Sequence, residues 1–243
     1  GQPSFHVQYS PELAVMYALN ILSKSITELN NIFYHFTDEK IYHTCIQNIS
    51  ETMQRMTLGE IQELTLTSEE LFDFEKIKEI IQLETAELLT NSLLMGYYGS
   101  GGNNLNVAQE LKNIGYDCGY IFQCMNDLEP FCEKNINEQH KGYFNLDYDR
   151  ERKNIGIALL HKVSNKADRS ILVQKPPYDE LIHLFRKYNI IEFFLKDLDD
   201  LNQKNLCRIQ ALSELGISKT WCGNFAEFIS NVIAVCVSRL GLE

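Results

Sequence analysis

Gln123, Asn126 and Asp127 occupy positions i, i+3 and i+4 of a segment that reads as helix, so two amides and one carboxylate emerge on one face. Their neighbours Ile121, Phe122, Met125 and Leu128 are apolar. Polar groups in such a setting either pair with one another inside a core or line a cavity that receives a ligand. Spacing alone leaves both readings open. Gly115 and Gly119 precede the cluster at helical spacing, where missing side chains permit close helix contact or leave room for a ligand. Downstream, Lys141-Gly142, Asp147 and Arg152-Lys153-Asn154 place cations just beyond the acidic helix. Upstream, Gly59-Glu60-Ile61-Gln62-Glu63-Leu64 and Glu84-Thr85-Ala86 put further hydrogen-bonding groups on apolar helices.

Other chemistries lack their residues. His6, His35, His43, His140, His161 and His183 form no HExxH or comparable zinc pattern, and no cysteine has a persuasive nearby base. Gly99-Ser100-Gly101-Gly102 lacks the lysine and hydroxyl residue of a phosphate-binding loop and reads as an interhelical connection. Asp199-Asp200 lies among Leu195, Leu198, Leu201 and Leu206, the pattern of an amphipathic helix with an acidic outer face.

The elements that must position these groups are helical. Ser10-Pro11-Glu12 supplies an N-cap, a proline at the first helical position and an early acid, and Leu13, Met16, Tyr17 and Ile21 follow on one stripe. Further helices are predicted over about Glu39 to Leu64, Phe74 to Tyr98, Leu105 to Leu128, Arg150 to Ser164, Tyr178 to Lys187, Ile190 to Leu215 and Lys219 to Leu240. Alternating strand patterns are scarce, and the breaks, including Lys175-Pro176-Pro177, have loop composition. One all-α domain of long helices around a central cavity is the simplest architecture.

Composition limits partners. The 243 residues carry 33 acidic against 22 basic side chains, a formal net charge of -11, which disfavours a sequence-independent grip on nucleic acid or anionic lipid. The 7 cysteines are scattered without a CxxC pair, as expected of reduced thiols in the cytoplasm. No run is long and apolar enough to span a bilayer, and the first residues do not read as a signal peptide, so a soluble chain is expected.

The ordered series of motifs resembles the trans-isoprenyl diphosphate synthases. That family runs from an RRGxPxxH-like element through GQ or GE, a KT pair, GxxxGxxFQ and a second DDxxD to a final GKxT. Here the matching stretches are Gly1-Gln2-Pro3-Ser4-Phe5-His6, Gly59-Glu60, Glu84-Thr85, Gly115 to Gln123, Asn126-Asp127 and Arg152-Lys153-Asn154. The resemblance implies one isoprenoid-synthase-type helical domain over residues 1–243 and a prenyltransferase. It would condense isopentenyl diphosphate with an allylic diphosphate, use Mg2+, and act as a homodimer or as a heterodimer with a related synthase. It implies metal ligation by Asp127 and Asn126, catalytic roles for Asp127, Gln123 and Thr85, and substrate contacts from Phe122, Lys141, Arg152 and Lys153.

The departures matter equally. Asn126 stands for the first aspartate of the second acidic motif and Pro130 for the last, which weakens the expected magnesium site. Glu84 stands for the lysine of the KT pair and opposes a diphosphate unless a neighbouring cation compensates. The family's first DDxxD and arginine pair precede the element matched here by Gly1 to His6, so they are expected outside these residues. Two alternatives follow: a ComQ-like peptide-pheromone prenyltransferase, and a non-catalytic subunit of a heteromeric synthase.

Overall fold

Asx and Ser caps set the helix starts. Ser10 Oγ accepts the Leu13 amide at 3.2 Å and opens α2 (Pro11–Phe36), as its sequence signature predicts; a four-residue helix α1 (Phe5–Gln8) precedes it. α3 (Glu39–Leu64) follows. Asp73 accepts the amides of Glu75 and Lys76 and starts α4 (Phe74–Ile81), which runs through a π-helical turn (Gln82–Ala86) into α5 (Glu87–Gly99). Asn104 caps α6 (Leu105–Leu128), Asn154 caps α7 (Ile155–Val163) and Asn165 caps α8 (Lys166–Val173). Three helices complete the chain: α9 (Tyr178–Lys187), α10 (Ile190–Leu212) and α11 (Lys219–Arg239).

This computed structural model describes residues 3–36, 38–132 and 152–239, and among them no strand occurs. The all-α fold class predicted from periodicity is therefore observed. Three boundaries differ from expectation. The helix predicted from Phe74 to Tyr98 is interrupted by the π turn, and α10 ends at Leu212 rather than Leu215. The start predicted at Arg150 lies outside the described residues; residues 152–154 are not helical and α7 opens at Ile155, because Asn154 is in an extended conformation and its side chain caps the amide of Ile157. Among the described residues, no helix is long and apolar enough to cross a membrane.

The chain forms two compact units, one of Gly1–Ser50 with Met95–Asn103 and the other of Glu51–Leu94 with Asn104–Glu243. In the first, Phe33, Ile41 and Cys45 are buried with Leu29, Tyr42, Ile49, Met95 and Tyr98 packed around them. Tyr42 Oη donates to Asn30 Oδ1 at 2.7 Å, and the Phe5 ring lies 5.2 Å from that of Tyr17. The stripe of Leu13, Met16, Tyr17 and Ile21 is exposed.

The second unit contains the larger core. One face of α6, with Tyr120, Ile121, Cys124, Met125 and Leu128, packs into a cluster with Ile77 and Ile81 of α4, α7 from Ile155 to Leu160, and Phe185 and Phe194. Phe131 stacks on Phe185 with ring centroids 4.2 Å apart. Each such side chain contributes about 1.5–3 kcal/mol of burial free energy.

Glycines decide how closely the helices approach. A Cβ on Gly119 would lie 2.3 Å from the Ala86 Cα, and one on Gly115 would lie 2.5 Å from the Thr90 Cα. Both obstacles are backbone atoms, which cannot rotate away. A Cβ on Gly59 would lie 2.8 Å from the Glu84 Cγ and 2.9 Å from the Leu83 Cβ. The π turn is thus met by α3 and α6 at positions without side chains.

Two outcomes are expected. Gly119→Ala gains about 1 kcal/mol of helix propensity, but overpacking against backbone costs about 1–3 kcal/mol. A net loss of stability is predicted, and a raised urea midpoint would show that α6 does not need this approach. The second concerns thiols. Burial pushes Cys45 up to about 11 and Cys118 and Cys132 up to about 12, while Cys207 is exposed. In alkylation at pH about 8 read by peptide mass mapping, Cys207 is expected to react fastest of these four, because the thiolate is the reactive form.

Candidate functional site

Two polar connections run from the π turn to the start of α7. The first is a chain of hydrogen bonds. Thr85 Oγ1 donates to Gln123 Oε1 at 2.9 Å, which fixes the amide so that its Nε2 donates to Asp127 Oδ1 at 2.7 Å. Asp127 Oδ2 accepts the Ile155 amide at 3.0 Å, and Asn154 Nδ2 donates to the Asp127 carbonyl at 2.9 Å. Asp127 is only 7% exposed. The N-terminal end of α7 faces this carboxylate, which accepts two N–H donors.

The second connection is ionic. Lys153 Nζ contacts Glu63 of α3 and, at 2.5 Å, Glu84 Oε2 of the π turn. Arg152 reaches Glu63 at 3.2 Å and Glu60 at 4.0 Å. The Lys153 and Glu63 side chains are 10% and 9% exposed. Burial pulls the Lys153 ammonium down, but the hydrogen bonds to Glu63 and Glu84 outweigh it and hold it above the ordinary lysine range. For Glu84, burial outweighs the attraction of Lys153 and raises the carboxyl. Its Oε1 is buried without a hydrogen-bond partner.

The two connections adjoin in sequence at both ends: Glu84 with Thr85, and Lys153 with Asn154. Beside them, Arg55 Nε and Tyr116 Oη grip the buried Glu87 at 2.9 and 2.5 Å, tying α3, α5 and α6 together. Burial, then the Glu87 carboxylate, pushes the Tyr116 phenol up to about 12, so it donates rather than ionises.

Of the residues singled out from sequence, Gln123, Asp127 and Thr85 come together directly. Arg152 and Lys153 come together on Glu63. Asn126 is exposed, and Phe122 on the same helix is 49% exposed. Lys141 lies outside the described residues, as do Gly1 and Gln2 of the first matched element. Sequence reading missed Glu63 as the shared partner of both cations and Asn154 as the clamp on Asp127. The i, i+3 pair Glu60 and Glu63 was a visible signal; a partner 90 residues away was not.

Oxygen ligands suit magnesium, which commonly takes one or two carboxylates and completes its shell with water and substrate phosphate. Asp127 and Asn126 supply one anionic and one neutral oxygen donor. The set fits magnesium held jointly with a phosphate-bearing substrate. Oxygens of Glu60, Glu63 and Glu84 also lie within 4.8 Å of one another, with Lys153 as the counter-charge to the latter two.

Comparison with known proteins adds the family. A family model described as polyprenyl synthetase matches residues 1–175. Comparison with curated protein sequences gave no match. Among solved structures, octaprenyl pyrophosphate synthase from Helicobacter pylori is similar with a TM-score of 0.71 and 23% identity, covering 93% of this chain and 70% of that one. Geranylgeranyl pyrophosphate synthetase from Pyrococcus horikoshii Ot3 gives 0.79 and 15%, covering 98% and 70%. Decaprenyl diphosphate synthase from Rhodobacter capsulatus gives 0.78 and 14%, covering 99% and 70%. At these identities the structures establish the fold, and the sequence match establishes the membership: the chain belongs to the polyprenyl synthetase family.

Proposed function

We propose that this chain is a trans-prenyltransferase that condenses isopentenyl diphosphate with an allylic diphosphate and releases pyrophosphate. The observation that carries this reading is the Thr85–Gln123–Asp127 hydrogen-bonded chain, which abuts two diphosphate-compatible cations, Arg152 and Lys153. Family membership and the synthases named above support it.

The residues have separable tasks in this reaction. Asp127 and Asn126 would hold magnesium, which when bound neutralises the diphosphate leaving group as a Lewis acid. Thr85 sets the orientation of the Gln123 amide, whose Oε1 and one N–H are then used by Thr85 and Asp127. The second amide N–H is left for the diphosphate. Ionisation of the allylic carbon–oxygen bond leaves a cation that water would quench, and the apolar side chains flanking α6 serve to exclude it. The carbon–carbon double bond of the acceptor then attacks, the resulting cation loses a proton to restore a double bond, with the departing pyrophosphate as the available base, and Arg152 and Lys153 counter the charge of that pyrophosphate.

A peptide acceptor, as in the ComQ-like branch, is the second reading. Asn126, Pro130 and Asn154 depart from the family's motifs as that branch tolerates, without themselves specifying a peptide substrate. Both readings share the allylic donor. The test incubates purified protein with magnesium, short allylic diphosphates, and either labelled isopentenyl diphosphate or short peptides. A labelled prenyl product supports the first reading, and a mass gain on peptide supports the second. Absence of both with every donor rejects a catalytic role for the protein alone and leaves the subunit alternative.

Asp127→Ala removes the acceptor of Gln123 and of the Ile155 amide. It is expected to cost about 1–3 kcal/mol of stability and to lower kcat by about 100-fold or more. Activity compared where circular dichroism shows both forms folded separates the two effects. Wild-type turnover in the variant would remove Asp127 from the site.

A further inference from the structure

Lys153 is held in an unusual manner for a cation that must meet a substrate. Its ammonium is nine-tenths buried between Glu63 and Glu84, while Arg152 shares Glu63 from the solvent side. The buried part of this cluster is Glu63 and Glu84 against Lys153, and the charge of the half-exposed Arg152 balances it from the solvent side. Glu60, 4.0 Å from Arg152 and 55% exposed, is screened by solvent. An ammonium has three N–H donors, and the two carboxylates account for two.

Glu84 is built into this role. Gly59 leaves the space through which its side chain passes, since a Cβ there would sit 2.8 Å from the Glu84 Cγ. The π turn presents it beside Thr85. Only Oε2 is used, on Lys153, whereas Oε1 is buried without a partner. A carboxylate so placed serves its one contact rather than a general hydrogen-bonding network.

We propose that Glu84 and Glu63 are positioning residues that hold the Lys153 ammonium in place as the cation that meets the substrate diphosphate. The proposal rests on the diphosphate reading given above and extends it to residues that look unfavourable for an anion. The partners supply what burial takes away: burial lowers the ammonium's pKa, and the hydrogen bonds to Glu63 and Glu84 more than restore it. The position is set by the neighbouring connection, because Asn154, next to Lys153, grips the carbonyl of Asp127.

The test uses inorganic pyrophosphate with magnesium as probe, measured by calorimetry on the whole protein, with urea midpoints as a check on folding. Coulomb's law alone says that Glu84→Gln, which removes a negative charge, strengthens anion binding. Positioning says the opposite, and a weakening of about threefold to tenfold is expected for Glu84→Gln and Glu63→Gln. Lys153→Met is expected to lose about tenfold or more. The exchanged pair Glu84→Lys with Lys153→Glu restores the cation from the other side and is expected to recover binding beyond either single charge reversal. Glu84→Asp keeps the charge and shortens the reach, so it too should weaken binding; it decides the matter if the glutamine variants do not fold. Equal or tighter pyrophosphate binding in folded Glu84→Gln or Glu84→Asp overturns the proposal, as does wild-type protein that binds none. Wild-type protein that binds pyrophosphate through Lys153 and Glu84 but transfers no prenyl group would overturn the proposed reaction and leave this inference standing.

Discussion

The contact between Gly119 and Ala86 is the constraint on which the site depends. A Cβ at Gly119 would stand 2.3 Å from a backbone carbon, so α6 and the π turn meet at a separation that only glycine allows. That separation brings Thr85 within hydrogen-bonding distance of Gln123, one helical turn after Gly119. Gln123 in turn holds Asp127, and Asp127 receives the first amide of α7. A shift of α6 by the width of a methyl group would be transmitted to every member of this series, because each bond is to a neighbour already fixed by another.

The ion cluster follows a different logic from the surface pairs. Lys162 and Glu75, both largely exposed, make an ion pair of the kind that contributes little in water. Lys153 and Glu63 are almost fully withdrawn from solvent, so attraction is strong but each charge has lost its hydration. Such groups rarely improve stability over an apolar core of equal volume, and breaking one partner away leaves a buried charge uncompensated. Their value lies in placing charge where flexible surface side chains could not hold it.

The π turn connects these two features. An ordinary α-helical register from Phe74 to Gly99 would rotate the residues after Ile81 away from the positions they occupy; the extra residue in the turn presents Glu84 to Lys153 and Thr85 to Gln123. It does so where Gly59 and Gly119 remove the side chains that would otherwise keep α3 and α6 at a distance.

Much of this was legible in the chain alone. Apolar spacing at 3.6 residues and the Ser10-Pro11-Glu12 start signal sufficed for most helices, since these signals act within a few residues. The i, i+4 relation of Gln123 and Asp127 and the glycines at 115 and 119 marked the site for the same reason. Asn126 shared the predicted helix but is exposed where Asp127 is buried, because a helical periodicity gives a relative angle and not which neighbours cover it. The short α8 escaped notice, and the π turn carried no signal in the apolar pattern. Tertiary structure alone decided that Glu84 has a cation beside it, that Glu63 serves two cations, and that Asn154 holds the end of α6. These contacts join residues separated by 27 to 90 positions. Local physical chemistry determines the helices and their faces; only their packing determines which charges meet.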